Sequence, residues 1–418
     1  MAKLVAFKAF RAKRNTVHLV ASRSFVSYSK TGLAHKLNTN PFSFINIINP
    51  QYSATKRTKA NSPARFRLVA KKFESFIDRK IFIQDKKDTI YLYKQEFKGN
   101  VYIGIIAGAS IDDYQNGTIK KHEHTILKRE TTFKKYLEIT NFNAEPILVT
   151  YPDNKYIEKV LEKYLTIRPE YEFMSSNTAC HEFWLINDPK DITSITKEFK
   201  EFNSLYIADG HHRCASSNLL GQDKRRENPD YTGKEHFNYM LTFYIPESRL
   251  NIMEFNRLVE DLNGLTDEEF LEQIADYFDV VKISSNRFKP RAYNEIGMYL
   301  AGAWYALNAK TGTFNENHPV EKLDVSILSN NLLDPILGIK DLRTDPRVQF
   351  LGGRSGIREL MKQVDKGKMK VAFSLHPVTL DQLKTVANNH LYMPPKSTYI
   401  EPKLRSGLTL FKISDELD

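Results

Sequence analysis

The residues best suited to chemistry lie in one short string, Asp209-Gly210-His211-His212-Arg213, at the end of LYIADGHHRCA. Leu205, Tyr206, Ile207 and Ala208 read as a buried strand, and His211 to Leu220 as the opening turns of a helix. A strand that breaks at a glycine and turns straight into a helix gathers backbone N–H groups at the positive end of the helix dipole. Phosphates bind at such points. Arg213 can grip an oxyanion through its planar fork, His211 and His212 can donate to non-bridging oxygens, and Asp209 can hold magnesium beside phosphate oxygens. An aspartate N-cap flanked by surface histidines is the alternative reading of the same string.

A second candidate is Lys120-Lys121-His122-Glu123-His124-Thr125. A carboxylate set among imidazoles and lysines can take the proton of an alcohol, although a solvated charge run has the same composition. The tail offers Pro394-Pro395-Lys396-Ser397-Thr398 and Lys403-Leu404-Arg405-Ser406-Gly407, cations and hydroxyls that suit a phosphate or a substrate carboxylate. Asp341-Leu342-Arg343 and Gly352-Gly353-Arg354 are weaker versions of the same idea. Cys180-His181 with His211, His212 and Cys214 could supply zinc ligands, but the spacing matches no common pattern.

The elements that would position these residues alternate between strand and helix. Helical spacing runs over Ala64 to Ile81, with Phe66, Val69, Phe73 and Phe76 on one face, and over 131–139, 155–165 and 191–202. Strands are expected at 89–97 and 100–109 around a Lys98-Gly99 turn, and at 40–50, 145–151, 181–187 and 237–245. The segment 17–27 starts like a strand, and 53–64 and 111–118 read as loops. Later, Thr266 and Glu269 suit a capping box before an acidic helix, 298–307 is strand-like, 325–333 is helical, and strand 348–351, helix 357–364, strand 370–375 and helix 380–387 follow.

The chain has 418 residues, which suggests two domains, divided here as 1–250 and 251–418, with one integrated unit as the alternative. Residues 1–80 hold 17 Lys/Arg against Glu74 and Asp78, so this region carries the whole +11 excess. Regular hydrophobic residues through it (Val5, Phe7, Phe10, Val17, Leu19, Val20) favour a folded segment over a transit peptide, and Arg11, Arg14 and Arg23 are expected to line the same cleft. Two cysteines indicate a reducing, cytoplasmic setting, and the longest apolar run, Val101 to Ile111, is far short of a membrane span.

These motifs carry a family resemblance. HLVASRS, NPFSF, IKKHEHT, NAEPILVTY, YIADGHHR, LDVSILSNNLLDPILGI, RTDPRVQFLGG, VAFSLHPV and MPPKSTYIEPKLRSGL resemble a bacterial domain-of-unknown-function family, number ten-fifteen, from His18 to Leu408. That family is distantly similar to the ParB/sulfiredoxin-like superfamily, whose Gly-x-His/Arg-Arg turn holds nucleotide phosphates and which includes free L-serine kinases. The resemblance implies an α+β fold, mixed sheets with flanking helices, built on a nucleotide-binding core with an additional α/β region. It implies magnesium and ATP or ADP as donor, with Gly210, His211, His212 and Arg213 on the nucleotide, and Asp209 on the metal. Asp209 and His212 would serve the transfer and Glu123 would be the base. His122, His124, Lys396 and Arg405 would bind the amino-acid substrate. A homodimer fits the same picture. A nucleotide-gated, partition-like DNA-binding protein and a metabolite-binding protein without turnover are the alternatives, but the sequence shows no convincing helix-turn-helix and no aromatic-basic interleaving.

Overall fold

The computed structural model describes residues 1–50 and 57–418. The chain forms two compact units, one of residues 1–120, 125–250 and 402–418, the other of 121–124 and 251–401.

The first unit is built on a nine-stranded mixed sheet: β1 (Leu4–Val5), β2 (Ile90–Phe97), β3 (Asn100–Ser110), β4 (Ile119–Lys120), β5 (Ile147–Tyr151), β6 (Tyr171–Met174), β7 (Cys180–Ile186), β8 (Leu205–Asp209) and β9 (Tyr239–Pro246). Their order is β4-β8-β5-β9-β3-β2-β7-β6, with β1 paired to the end of β3. β2 and β3 form a hairpin in which Lys98 and Gly99 both take positive φ, as a tight two-residue turn demands. The helices of this unit are α1 (Lys30–Thr39), α2 (Pro63–Asp78), α3 (Leu127–Thr140), α4 (Lys155–Leu165), α5 (Pro189–Lys200) and α6 (His211–Glu227). Ile157 and Leu161 of α4 and Ile195 and Phe199 of α5 recur at helical spacing, and they pack with Ile105, Val149 and Ile207 of the sheet. Phe66, Val69, Phe73 and Phe76 of α2 are buried, and Phe73 meets Phe142 with ring centroids 4.4 Å apart. The C-terminal segment returns to this unit, where Phe411–Lys412 pairs with Phe142–Asn143.

The second unit holds a six-stranded antiparallel sheet: β10 (Phe255–Val259), β11 (Phe278–Ile283), β12 (Glu295–Leu300), β13 (Ala303–Ala309), β14 (Val348–Gly352) and β15 (Val371–Ser374), ordered β11-β13-β12-β15-β10-β14. Its helices are α7 (Asp267–Ile274), α8 (Asp324–Leu328, continued by a wider turn to Leu333), α9 (Gly356–Asp365) and α10 (Leu380–Asn388). Leu258, Tyr299, Trp304 and Ala372 form one core face with Leu360 of α9. The capping box at Thr266 and Glu269 is present.

The fold is thus α+β, with a large mixed sheet and smaller antiparallel ladders. Several local expectations are corrected. Residues 40–50 do not form a strand: Asn40 is a turn residue whose side chain bonds to the Leu19 carbonyl and the Phe42 amide, and Ile45–Ile48 is a short helix. Val17–Val20 and Ile111–Gln115 are helical turns rather than strand and loop, the latter capped by Ser110. The strand-like 298–307 is a hairpin, because Ala301 and Gly302 turn the chain between β12 and β13. Of the expected loop 53–64, residues 53–56 lie outside the described residues, and the helix already begins at Pro63.

Candidate functional site

β8 lies between β4, which it parallels, and β5, to which it is antiparallel. Leu205 to Ala208 are buried, as an interior strand of a two-sided core requires. The register with β5 slips between Ile207 and Asp209, a bulge that re-aims the strand end. Gly210 follows with φ 103° and ψ 27°, a conformation L side chains rarely adopt, and a Cβ there would lie 3.0 Å from the Arg213 guanidinium. One residue therefore turns strand into helix. α6 runs 17 residues from His211, and Gly210 as its N-cap brings no capping side chain. The first intrahelical bond runs from the Cys214 N–H to the Gly210 carbonyl at 3.0 Å.

Charge converges on this turn. Arg213 Nη1 donates to the Pro146 carbonyl at 2.5 Å, and its Nη2 stands 3.7 Å from Asp209 Oδ2. Lys403 Nζ donates to the same Asp209 oxygen at 3.2 Å. Burial pushes the Asp209 carboxyl up, but Lys403 and Arg213, followed by the Lys403 hydrogen bond and His211, bring it down to about 2. Asp209 therefore stays ionised, and one carboxylate sits between two cations at a helix N-terminus. The side chains of Asp209 and Lys403 are 42% and 41% exposed, so the ion pair itself contributes little to stability. Its consequence is local positive charge beside an accessible turn, which suits phosphate oxyanions. One carboxylate is also what magnesium commonly takes from a protein when phosphates and waters complete its shell, so Asp209 fits that ion. His211 is buried and His212 half-buried at the start of α6.

The unit that contains this turn brings Asp209, Gly210, His211, His212 and Arg213 together. Lys403 stands out among the tail cations because it reaches Asp209 across 194 residues of sequence. Arg405 takes a different course. It is buried and donates to Ser175 Oγ at 2.6 Å, Asn177 Oδ1 at 2.5 Å and His181 Nε2 at 3.3 Å. Nothing in the sequence marked Ser175 or Asn177, which sit on the β6–β7 connection. Arg11 does not line a cleft either: it is buried and paired with Asp85 at 2.8 Å and Glu170 at 2.9 Å.

The zinc reading is corrected by the same network. His181 Nδ1 is 2.7 Å from Tyr93 Oη and its Nε2 is 3.0 Å from Ser175 Oγ, so both ring nitrogens are engaged. Burial and the Arg405 charge pull this histidine down to about 3, leaving it neutral. Cys214 is fully buried with its sulfur against that of Met240 at 3.4 Å.

The candidates His122, Glu123, His124 and Lys396 belong to the second unit. His122 is buried, and its carbonyl accepts the Met393 N–H at 2.9 Å. Glu123 is half-buried. His124 is exposed and stacks on Tyr392 with centroids 3.7 Å apart. Lys396 is exposed, with its ammonium 5.4 Å from the centre of the Phe255 ring.

A strand-to-helix glycine turn beside Arg213 and Lys403, on a mixed sheet, is an arrangement whose chemistry suits an oxyanion. The chain belongs to the family described as "Protein of unknown function (DUF1015)", which it matches over residues 4–326. No curated protein matches the chain. Among solved structures it is similar to a free serine kinase in complex with AMP, at 10% identity and TM-score 0.37, covering 73% of this chain and 91% of that one. It is similar to SbnI with a C-terminal truncation from Staphylococcus aureus, at 14% identity and TM-score 0.39, covering 72% and 85%. A conserved hypothetical protein from Pyrococcus furiosus matches at 11% identity and TM-score 0.35, covering 73% and 94%. No helix among the described residues is long and apolar enough to cross a membrane.

Proposed function

We propose that this protein is a magnesium-dependent small-molecule kinase that moves a nucleotide phosphoryl group onto the hydroxyl of free L-serine, giving O-phospho-L-serine. The observation that supports the phosphate half is the Gly210 turn, where an uncapped-by-side-chain helix start meets Arg213 and Lys403. The serine half rests on the resemblance of Gly210-His211-His212-Arg213 to the turn of the superfamily that includes free L-serine kinases, with Glu123 ahead of it in the same order of parts.

Phosphoryl transfer asks a protein mainly for positioning and charge stabilisation. Gly210 and the first turn of α6 would cradle the phosphates, and Arg213 with His211 or His212 would offset charge on the transferring group. Magnesium, held by Asp209, would neutralise charge on the phosphate oxygens. Glu123 would accept the serine hydroxyl proton as the new O–P bond forms and the bond to the departing nucleotide breaks. That assignment comes from its place in the sequence, and its test is kinetic.

The full chain, given magnesium, L-serine and ATP or ADP, should yield phosphoserine, seen as a mass gain of one phosphoryl group. Glu123→Gln should lower turnover by roughly 10²–10⁴ while nucleotide still raises the melting temperature. Arg213→Gln should lose that thermal shift as well. Thermal stabilisation by nucleotide without product from either donor would leave a metabolite-binding protein. Salt-sensitive DNA binding in place of both would favour the partition-like reading.

A further inference from the structure

The second unit buries one arginine without an acid beside it. Arg257 sits mid-strand in β10, between β14 and β15, and is fully buried. Its Nη1 donates to the Phe255 carbonyl two residues earlier, and its Nη2 reaches the Pro395 carbonyl only at 3.5 Å. Nε has no hydrogen-bond partner among the described residues. The guanidinium carbon lies 5.4 Å from the centre of the Phe350 ring, which belongs to the residue opposite on β14. Among the described residues no acid offsets the burial, which lowers the arginine to about 9 and still leaves it a cation at neutral pH. A buried charge left in this state is costly.

Other arginines of the same unit show what this one lacks. Nε and Nη2 share one edge of a guanidinium, and that edge forks a carboxylate. Arg343 sets it against Asp341 at 3.0 and 3.2 Å, and Arg347 sets it against Asp345 at 3.2 and 2.9 Å. In Arg257 the same edge carries one long contact and one N–H without a partner.

The Pro395 carbonyl belongs to a short strap lying against this edge. Tyr399–Glu401 pairs with Asn251–Met253, just ahead of β10, and so returns residues 394–398 to the strand. Ser397 Oγ donates to the Pro394 carbonyl at 2.7 Å and fixes the strap's bend. Lys396 takes a positive φ of 60°, a strained backbone of the kind that collects at ligand clamps. Its exposed ammonium lies 5.4 Å from the centre of the Phe255 ring, and that ring meets Phe350 edge to face with centroids 6.0 Å apart. Two cations thus flank one half-buried aromatic pair, Lys396 at the surface and Arg257 beneath.

We infer that the Nε–Nη2 edge of Arg257 and the Lys396 ammonium bind an oxyanion, the carboxylate or phosphate group of a small molecule. The anion takes the place of the Pro395 carbonyl, so residues 394–396 shift outward as it enters. A charged oxygen at about 2.8 Å then replaces a neutral one at 3.5 Å, and Nε gains its partner. The site does not depend on the kinase reading: its residues all lie in the second unit, and that mechanism uses none of them.

The test uses the full chain in an Arg213→Gln background, so that ions at the Gly210 turn do not contribute. Acetate and inorganic phosphate are titrated separately at constant ionic strength and followed by calorimetry and melting temperature. Saturation by acetate alone marks a carboxylate site, by phosphate alone a phosphate site, and by both the shared chemistry. Lys396→Gln, a change at the surface, should keep the fold and weaken binding about tenfold, the scale of one charge-assisted hydrogen bond. Arg257→Lys keeps the charge but loses the fork, and should weaken binding at least as much. Should Arg257→Lys fail to fold, Lys396→Gln alone decides. No saturable binding of either anion, or binding unchanged by the substitutions, overturns the site.

Discussion

Each unit contains a strand that runs through glycine into an arginine-bearing helix start, and the two turns are put to different uses. In the first unit β8 passes through Gly210 to α6, and in the second β14 passes through Gly352-Gly353-Arg354-Ser355-Gly356 to α9. The second turn is filled by its own unit. A Cβ at Gly352 would collide with the Tyr399 ring, and one at Gly353 would come 2.9 Å from the Glu254 carboxyl. Arg354 pairs with Glu401, which is 2% exposed, and Glu254 pairs with Lys289 at 3.1 Å. There the cation answers an internal anion. At the Gly210 turn, Arg213 bonds to a carbonyl, and the carboxylate it faces, Asp209, is partly open to solvent and shared with Lys403. On the proposed reading the Gly210 turn keeps its arginine for a ligand, whereas a buried carboxylate takes the arginine of the Gly352 turn.

The largest expected effect tests that contrast directly. Arg354→Gln strands a buried Glu401 whose Oε1 has no other partner among the described residues, so denaturant unfolding should show a loss of about 3–5 kcal/mol. Arg213→Gln should cost under about 1 kcal/mol, since its pairing with Asp209 is partly solvated. Nucleotide-induced stabilisation should follow the opposite order, surviving in folded Arg354→Gln and vanishing in Arg213→Gln. A large stability loss in Arg213→Gln with nucleotide binding intact would make the Gly210 turn as structural as its counterpart.

Lys403→Met should act less strongly. Its removal takes away the foremost attraction holding Asp209 at about 2, and nucleotide affinity should fall about tenfold. The pH dependence has a definite sign. A carboxyl depressed in the folded state contributes stability that is complete above its unfolded value and fades as pH falls from about 4 toward 2. In Lys403→Met that acid loss should shrink, read as a smaller difference in melting temperature between pH 6 and pH 3. An unchanged difference would mean that Arg213 alone sets the carboxylate.

The legible parts of the chain were those whose signal is local. The Gly210 turn was readable because four apolar residues, a glycine and a helix start are adjacent. Helices α4 and α5 were readable because their apolar residues recur at helical spacing. Elements of one turn were not: Ile45–Ile48 depends on tertiary bonds such as Phe44 N–H to the Val20 carbonyl at 3.0 Å. β6 also went unseen, since Tyr171–Met174 alternates over only four residues and is defined by its pairing with β7. At the site, the partners of Asp209 and Arg405 lie far away in sequence, and no spacing rule joins Lys403 to Asp209 or Arg405 to Ser175.

The smallest effect compares the two acids that the two units treat in opposite ways. Asp324 at the start of α8 is buried, accepts the Asn294 N–H at 2.8 Å on Oδ1, and has no partner among the described residues on Oδ2. Burial pushes it up to about 7, against the smaller pull of that N–H, with Glu295 adding to the rise. The folded state therefore keeps a proton that the unfolded chain has released between about pH 4 and 7, so this residue makes stability fall as pH rises through that window. Asp324→Asn cannot ionise, and relative to the native chain it should gain of order 1 kcal/mol at pH 8 over its standing at pH 5. The new amide N–H replaces an oxygen without a partner, so both pH values carry a similar packing cost and the difference between them is the diagnostic quantity. Equal effects at the two pH values would show that the buried carboxyl is charged throughout, as Asp209 is, and would remove the contrast between the two units.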